Sequence, residues 1–327
     1  MPTSYQVLVT SYRLLVTSYR LLVTRYKVLR NSSLVTVLVL CVGCSSTSPL
    51  PNTDIYIADF DQSTMKVSNV RNITQRTGYD NQPAFTLDGK GVYYVSDSTG
   101  VTDIFRYDLA SGAIRQVTET NEQEFSPTPM ADGKSLSIVR VGKPLADGDE
   151  YTESQQVWRY DLGGRPIAPI LATRRVGYHC WIDEGLIALF IVGDEEKGRP
   201  HKLIAADLAS RQTIELATNI GRTLRVTSDG RLAFVDKSDS TRWKIATISQ
   251  GEETATPLIA LPKGSEDFCL LPDGKIVSIS GNSLVMWKNG AIPAFMPFHT
   301  FPDLNGTIAR ISTNADATRI VFVVTSY

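Results

Sequence analysis

From residue 54 onward the polar and apolar positions fall into a repeating phrase: an acidic-Gly pair, then a short run of alternating β-branched and aromatic residues. The pairs are Asp88-Gly89, Asp132-Gly133, Glu184-Gly185, Asp229-Gly230, Asp273-Gly274 and a weakened Asp316-Ala317. Successive turn positions are 44, 52, 45, 44 and 43 residues apart. Gly supplies the positive φ of a tight turn, so each pair flanked by β-rich runs predicts a hairpin. The runs that follow, such as Val92-Tyr93-Tyr94-Val95, Leu232-Ala233-Phe234-Val235 and Ile320-Val321-Phe322-Val323, carry the period of two expected of strands.

Four strands per period emerge. In the first they are residues 83–86, 91–96, 103–109 and 113–118, and the phrase Asp103-Ile104-Phe105-Arg106-Tyr107-Asp108-Leu109 returns in later periods as Val157-Trp158-Arg159-Tyr160-Asp161-Leu162 and Leu203-Ile204-Ala205-Ala206-Asp207-Leu208. Repeats of this length are the signature of propeller blades. The last period, Thr307 to Val324, supplies only two strands. Asp54 to Asp59 and Lys66 to Thr74 match the missing third and fourth. Pairing the two fragments completes one blade from both chain ends and removes exposed edges. The expected fold is therefore all-β, a six-bladed β-propeller over 54–327 with the last blade closed by N-terminal strands.

The run Pro83-Ala84-Phe85-Thr86-Leu87-Asp88-Gly89-Lys90 through Asp103-Ile104-Phe105 resembles the WD-like repeat of TolB-type propellers. The resemblance extends over about 270 residues, with two near-consensus blades and four looser ones. An amino-terminal TolB-type α/β domain has no counterpart, so the resemblance concerns the propeller alone.

Residues 1–30 read differently. Thr-Ser-Tyr-x-x-Leu-Val recurs every seven residues from Thr3, nearly identical in every column, and its first residues reappear as Val324-Thr325-Ser326-Tyr327. Coiled-coil packing constrains only some heptad columns, and no acidic residue is available for pairing across a seam. Tandemly repeated DNA read in frame explains the identity better, with translation expected to start near Val23 to Leu29. Arg25, Lys27 and Arg30 then precede the apolar run Leu34 to Val42, too short to span a bilayer but suited to a signal peptide over 31–44. Cys41-Val42-Gly43-Cys44 resembles a bacterial lipobox. The resemblance implies that Cys44 is lipidated, and Ser45 after it implies the outer membrane. Each buried acyl methylene adds about 0.8 kcal/mol of anchoring. Residues 45–53 form a Ser/Thr/Pro tether. An ordinary signal peptide cut nearby is the competing reading.

Composition changes this picture only by exclusion. A net charge of -1 with 20% charged residues gives no basic excess for nucleic acid. His179, His201 and His299 show no metal-ligand spacing, and neither a Gly-x-Ser-x-Gly elbow nor a phosphate loop occurs, so no cofactor is expected. Cys180 and Cys269 occupy equivalent columns of different blades and are expected as separate thiols rather than a disulfide. The four tryptophans are expected to pack between sheets. Residues 142–155, carrying Asp147, Asp149 and Glu150, are expected as an acidic surface loop.

Alignment on the turn Gly gathers Asn81, Gln82, Glu124, Tyr178, Arg222, Glu266, Asp267 and Arg310 around one mouth of the channel, with His179 on the innermost strand of the third blade. A mixed polar ring suits a peptide, a glycan or a partner's loop; a merely solvated rim is the alternative. Three functions stay open at this point. The first is a non-catalytic, monomeric, lipid-anchored periplasmic protein of the cell envelope that binds or scaffolds an envelope protein, peptide or glycan at the mouth and meets the membrane only through its anchor. The second is a hydrolase or lyase acting on a peptide or carbohydrate there, with Asp267, Glu266 or His179 as acid and base. The third is the product of a decayed gene.

Overall fold

The computed structural model describes residues 50–143, 151–291 and 293–326. The heptapeptide repeats, the signal segment with Cys44, and Asp147, Asp149 and Glu150 lie outside them. Among the described residues the strands form six four-stranded antiparallel sheets, and the helical pieces are two short 3₁₀ turns, Tyr151–Ser154 and Glu195–Lys197. The chain is a six-bladed β-propeller, as the repeat predicts.

Blade one holds β3 (Asp80–Phe85), β4 (Gly91–Ser96), β5 (Asp103–Asp108) and β6 (Ile114–Gln116), counted from the axis outward after β1 (Thr53–Asp61) and β2 (Lys66–Asn72). Blade two holds β7 (Gln123–Pro129), β8 (Ser135–Val141), β9 (Gln155–Asp161) and β10 (Pro166–Pro169). Blade three holds β11 (Val176–Trp181), β12 (Leu186–Ile191), β13 (Lys202–Asp207) and β14 (Thr213–Thr218). Blade four holds β15 (Ile220–Val226), β16 (Leu232–Asp236), β17 (Lys244–Ile248) and β18 (Thr256–Ala260), and blade five β19 (Phe268–Leu270), β20 (Lys275–Ser280), β21 (Ser283–Lys288) and β22 (Met296–Thr300). Blade six combines β23 (Thr307–Thr313) and β24 (Arg319–Thr325) with β1 and β2, in the order β23-β24-β1-β2. The pairing runs from Thr53 opposite Thr325 to Asp59 opposite Arg319, so Val324 and Thr325 of the recurring phrase are part of the sheet. Tyr56 stacks on Phe322 across this seam at 5.7 Å. The innermost strands touch in the cycle β3, β7, β11, β15, β19, β23 and back to β3.

The second strand of each blade has sheet neighbours on both sides and blades against both faces, which is why those runs are apolar almost throughout; all six residues of β4 are buried. The core correspondingly divides into six clusters, one at each interface between blades. The tryptophans pack within them, Trp158 between blades one and two, Trp181 between two and three, Trp243 and Trp287 between four and five. Burying a side chain such as Ile57 or Leu189 contributes about 1.5–3 kcal/mol, so ring integrity rests on these interfaces.

The turns follow the predicted chemistry with one exception. Gly89 takes φ +65° and its N–H donates to Thr86 O at 2.9 Å, while Asp88 Oδ1 accepts from Lys90 N at 3.0 Å. In blade three the acidic residue that holds the turn is Asp183, not Glu184: its Oδ1 accepts from Gly185 N at 2.7 Å and Leu186 N at 2.8 Å.

Candidate functional site

Each blade brings its innermost strand to the axis, and five of the six innermost strands are interrupted near their start. The pairing slips between Asn81 and Ala84, Phe125 and Thr128, Val176 and Tyr178, Ile220 and Leu224, and Ala309 and Ser312. Such bulges re-aim side chains. At three of them Gln82, Ser126 and Arg310 adopt left-handed φ of 54°, 53° and 56°, a conformation non-Gly residues hold only when their surroundings impose it. Asn81 imposes it at Gln82, its Oδ1 accepting from Gln82 N at 2.8 Å.

The residues so presented surround an axial cavity of about 390 Å³. Of the residues singled out from the sequence, Gln82, Tyr178, His179, Arg222, Asp267 and Arg310 line it. Asn81 and Glu266 stand behind the rim as supports, and Cys44 lies outside the described residues. Glu124 belongs elsewhere: fully buried between blades, it accepts from Thr120 Oγ1 at 2.5 Å and Tyr160 Oη at 3.1 Å. Its expected place on the rim is taken by Ser126, whose N–H donates to Gln82 Oε1 at 2.6 Å. The shared proline in Gln82-Pro83 and Ser126-Pro127 was the signal that would have aligned these two residues.

Opposite Ser126 the rim is ionic. Arg222 grips Asp267 with Nη2 to Oδ2 at 2.6 Å and Nε to Oδ1 at 3.2 Å, a two-point contact matched to a carboxylate. Burial pushes the Asp267 carboxyl up, but Arg222 and Arg310 outweigh it and hold the group below its usual range. Glu266 accepts from Arg222 N at 2.7 Å and from Lys237 Nζ at 2.8 Å. Arg310 comes from the blade facing Tyr178, donating Nη2 to its hydroxyl at 2.7 Å with the guanidinium 4.9 Å from the ring centroid. Burial opposes the charge of Arg310, yet Tyr178 and Asp267 hold its pKa above the usual value. A hydrogen bond between blades three and six crosses the axis, since these blades are diametrically opposed.

Deeper in the cavity, His179 Nε2 lies 2.7 Å from Ser137 Oγ, while His179 Nδ1 is buried without a protein partner. Burial drives the His179 pKa down to about 4, so the ring is neutral at pH 7. Arg225, which the sequence reading passed over, sits five residues before its turn Gly, in a column otherwise made of Ala84, Thr128, Cys180, Cys269 and Ser312. It donates to the carbonyls of Leu224 at 2.9 Å and Ile311 at 3.3 Å. A lone charge in a column of small residues was the readable signal. Cys180 and Cys269 are free thiols, their pKa values raised by burial to about 11 and about 12.

Asp267, held low by Arg222 and Arg310, is not poised as a proton donor at neutral pH, and Glu266 is tied to Lys237 and to the Arg222 main chain. Among the described residues no three His, Cys, Asp or Glu side chains converge to hold a metal ion.

No protein-family model matches the sequence, and no curated protein matches it significantly. Solved structures match the fold. A putative TolB from Agrobacterium tumefaciens superposes with a TM-score of 0.61 at 15% identity, covering 84% of this chain and 98% of that one. A gluconolactonase from Xanthomonas campestris gives 0.59 at 12%, covering 84% and 97%. An oligogalacturonate lyase in complex with manganese gives 0.52 at 16%, covering 82% of each chain. At these identities the likeness concerns the fold, and a fold shared by proteins of different activity leaves function to the site.

Proposed function

We propose that this propeller is a non-catalytic binding or scaffolding module of the bacterial cell envelope, held at the periplasmic side of the outer membrane by lipid on Cys44, which recognises a protein, peptide or glycan at the mouth of its axial cavity. One observation carries the reading: the rim is pre-ordered by contacts between blades, with Glu266 and Asp267 committed to Arg222 and Lys237. Pre-ordering lowers the entropy lost on binding, whereas carboxylates tied to cations are poor proton donors. The cavity of about 390 Å³ is large enough for a compact group or the tip of a partner's loop.

A photo-crosslinking amino acid placed at Thr223, on the cavity wall, tests the site in intact cells. Recovery of one dominant envelope adduct, absent when the same probe stands at exposed Ile214 on the outer edge of blade three, is the expected result. Equal labelling from both positions, or none from Thr223, would overturn the reading. Anchoring is tested separately, by loss of acyl-chain labelling in Cys44→Ser.

A further inference from the structure

We infer that the axial cavity recognises an organic carboxylate, with Arg225 and Arg310 as the residues that hold it. The inference rests on the cavity being the ligand site, and it starts from a charge imbalance. Arg222, Arg225 and Arg310 line the space, and Asp267 is the one carboxylate among the lining residues. Asp267 is held at both oxygens by Arg222, and Glu266 behind it is taken up by Lys237 and the Arg222 main chain. Two guanidinium groups therefore remain without a carboxylate ion partner among the described residues. Their protein contacts are to neutral oxygens: the Tyr178 hydroxyl for Arg310, the Leu224 and Ile311 carbonyls for Arg225. Each contact leaves more than half of the N–H donors of its guanidinium unused.

The charge nearest Arg310 is that of Asp267, which is already gripped by Arg222, so an incoming anion adds compensation that the rim supplies only in part. The two arginines stand on different blades and at different depths, Arg310 seven and Arg225 five residues before their turn positions. The small neighbours of Arg225, Cys180 and Ser312 among them, leave room beside it. Both carbonyl contacts of Arg225 are made through Nη1 and Nη2, so its Nε–H and one further hydrogen on each Nη remain to meet a carboxylate. The remaining wall includes Pro83, Phe85, Pro127 and Leu224, which suits a carbon skeleton rather than a fully oxygenated inorganic ion. His179, with Nδ1 unpartnered, adds a further polar contact to the same wall.

Calorimetric titration of the purified protein with matched pairs tests this: glucuronate against glucose, and acetyl-alanyl-alanine against its amide, with inorganic phosphate as a further arm. The expected result is that the acid of at least one pair binds at least tenfold tighter than its neutral partner. The pair that responds shows whether an acidic sugar or a peptide end supplies the carboxylate. Arg225→Met should weaken that binding at least tenfold and Arg225→Lys should restore part of it; if Arg225→Met does not fold, Arg310→Lys and Asp267→Asn replace it, the first weakening and the second tightening the acid. Equal binding of acid and neutral partner, tightest binding by phosphate, no binding in any arm, or an unchanged affinity in the variants would each overturn the inference. Absence of acid binding alongside a Thr223 crosslink would remove the carboxylate and leave the binding-module reading standing.

Discussion

Asp267→Asn isolates the ion pair that organises the rim. The substitution keeps shape and one acceptor oxygen but removes the charge, so Arg222 loses its two-point partner and Arg310 loses the nearest compensating field. Removing one member of a buried pair typically costs about 3–5 kcal/mol because the other is left uncompensated. The Asp267 side chain is 7% exposed but Arg222 is 27% exposed, and water reaching its guanidinium reduces the penalty. The expected loss is therefore about 2–3 kcal/mol, and for a domain of this size it should lower Tm by about 4–12 °C. Differential scanning calorimetry at pH 7 reads it directly, with urea unfolding at an unchanged m value as the check that only stability moved. A group whose folded pKa is depressed stabilises above its unfolded pKa, about 4, and loses that contribution as pH falls through the folded value. The gap between wild type and variant should thus be full at pH 6 and shrink below about pH 4. The double variant Arg222→Met/Asp267→Asn should be less destabilised than Asp267→Asn alone. A Tm within about 1 °C of wild type, or a double variant that simply adds the two losses, would refute the reasoning.

Three further outcomes follow from the packing. Burial raises the Glu124 carboxyl to about 7, so its contribution is complete below about pH 4.5 and is lost as pH rises through 7; Glu124→Gln should remove a fall of roughly 2–3 kcal/mol in stability between pH 5 and 8, measured by urea titration across that range. Ile57, fully buried at the interface of blades six and one, should cost about 3 kcal/mol as Ile57→Ala, and a calorimetric loss under about 1 kcal/mol would argue against a load shared across the seam. Gly164 has φ +88° and an added Cβ would lie 1.7 Å from Val117 O, so Gly164→Ala should destabilise by more than about 2 kcal/mol, seen as a lowered Tm and early proteolysis.

The sequence by itself determined the blade. The acidic-Gly turns need positive φ, the alternating runs need a sheet, and neither depends on distant residues, so the period of Gly89, Gly133, Gly230 and Gly274 was legible from local chemistry. The seam was legible too, since β1 and β24 each belonged to an incomplete blade and edges left open are unfavourable. What only the tertiary structure decided was the direction of side chains at the axis. A bulge changes which face the following residues present, and contacts between blades such as Ser126 N to Gln82 Oε1 hold it in place; the shared prolines align Gln82 with Ser126 but do not say which way either side chain faces. Hence Glu124, two residues from Ser126, turned into the interface while Ser126 turned to the cavity. Arg225 entered the lumen for the same reason: its neighbours in the ring are close in space but lie a blade or more away along the chain.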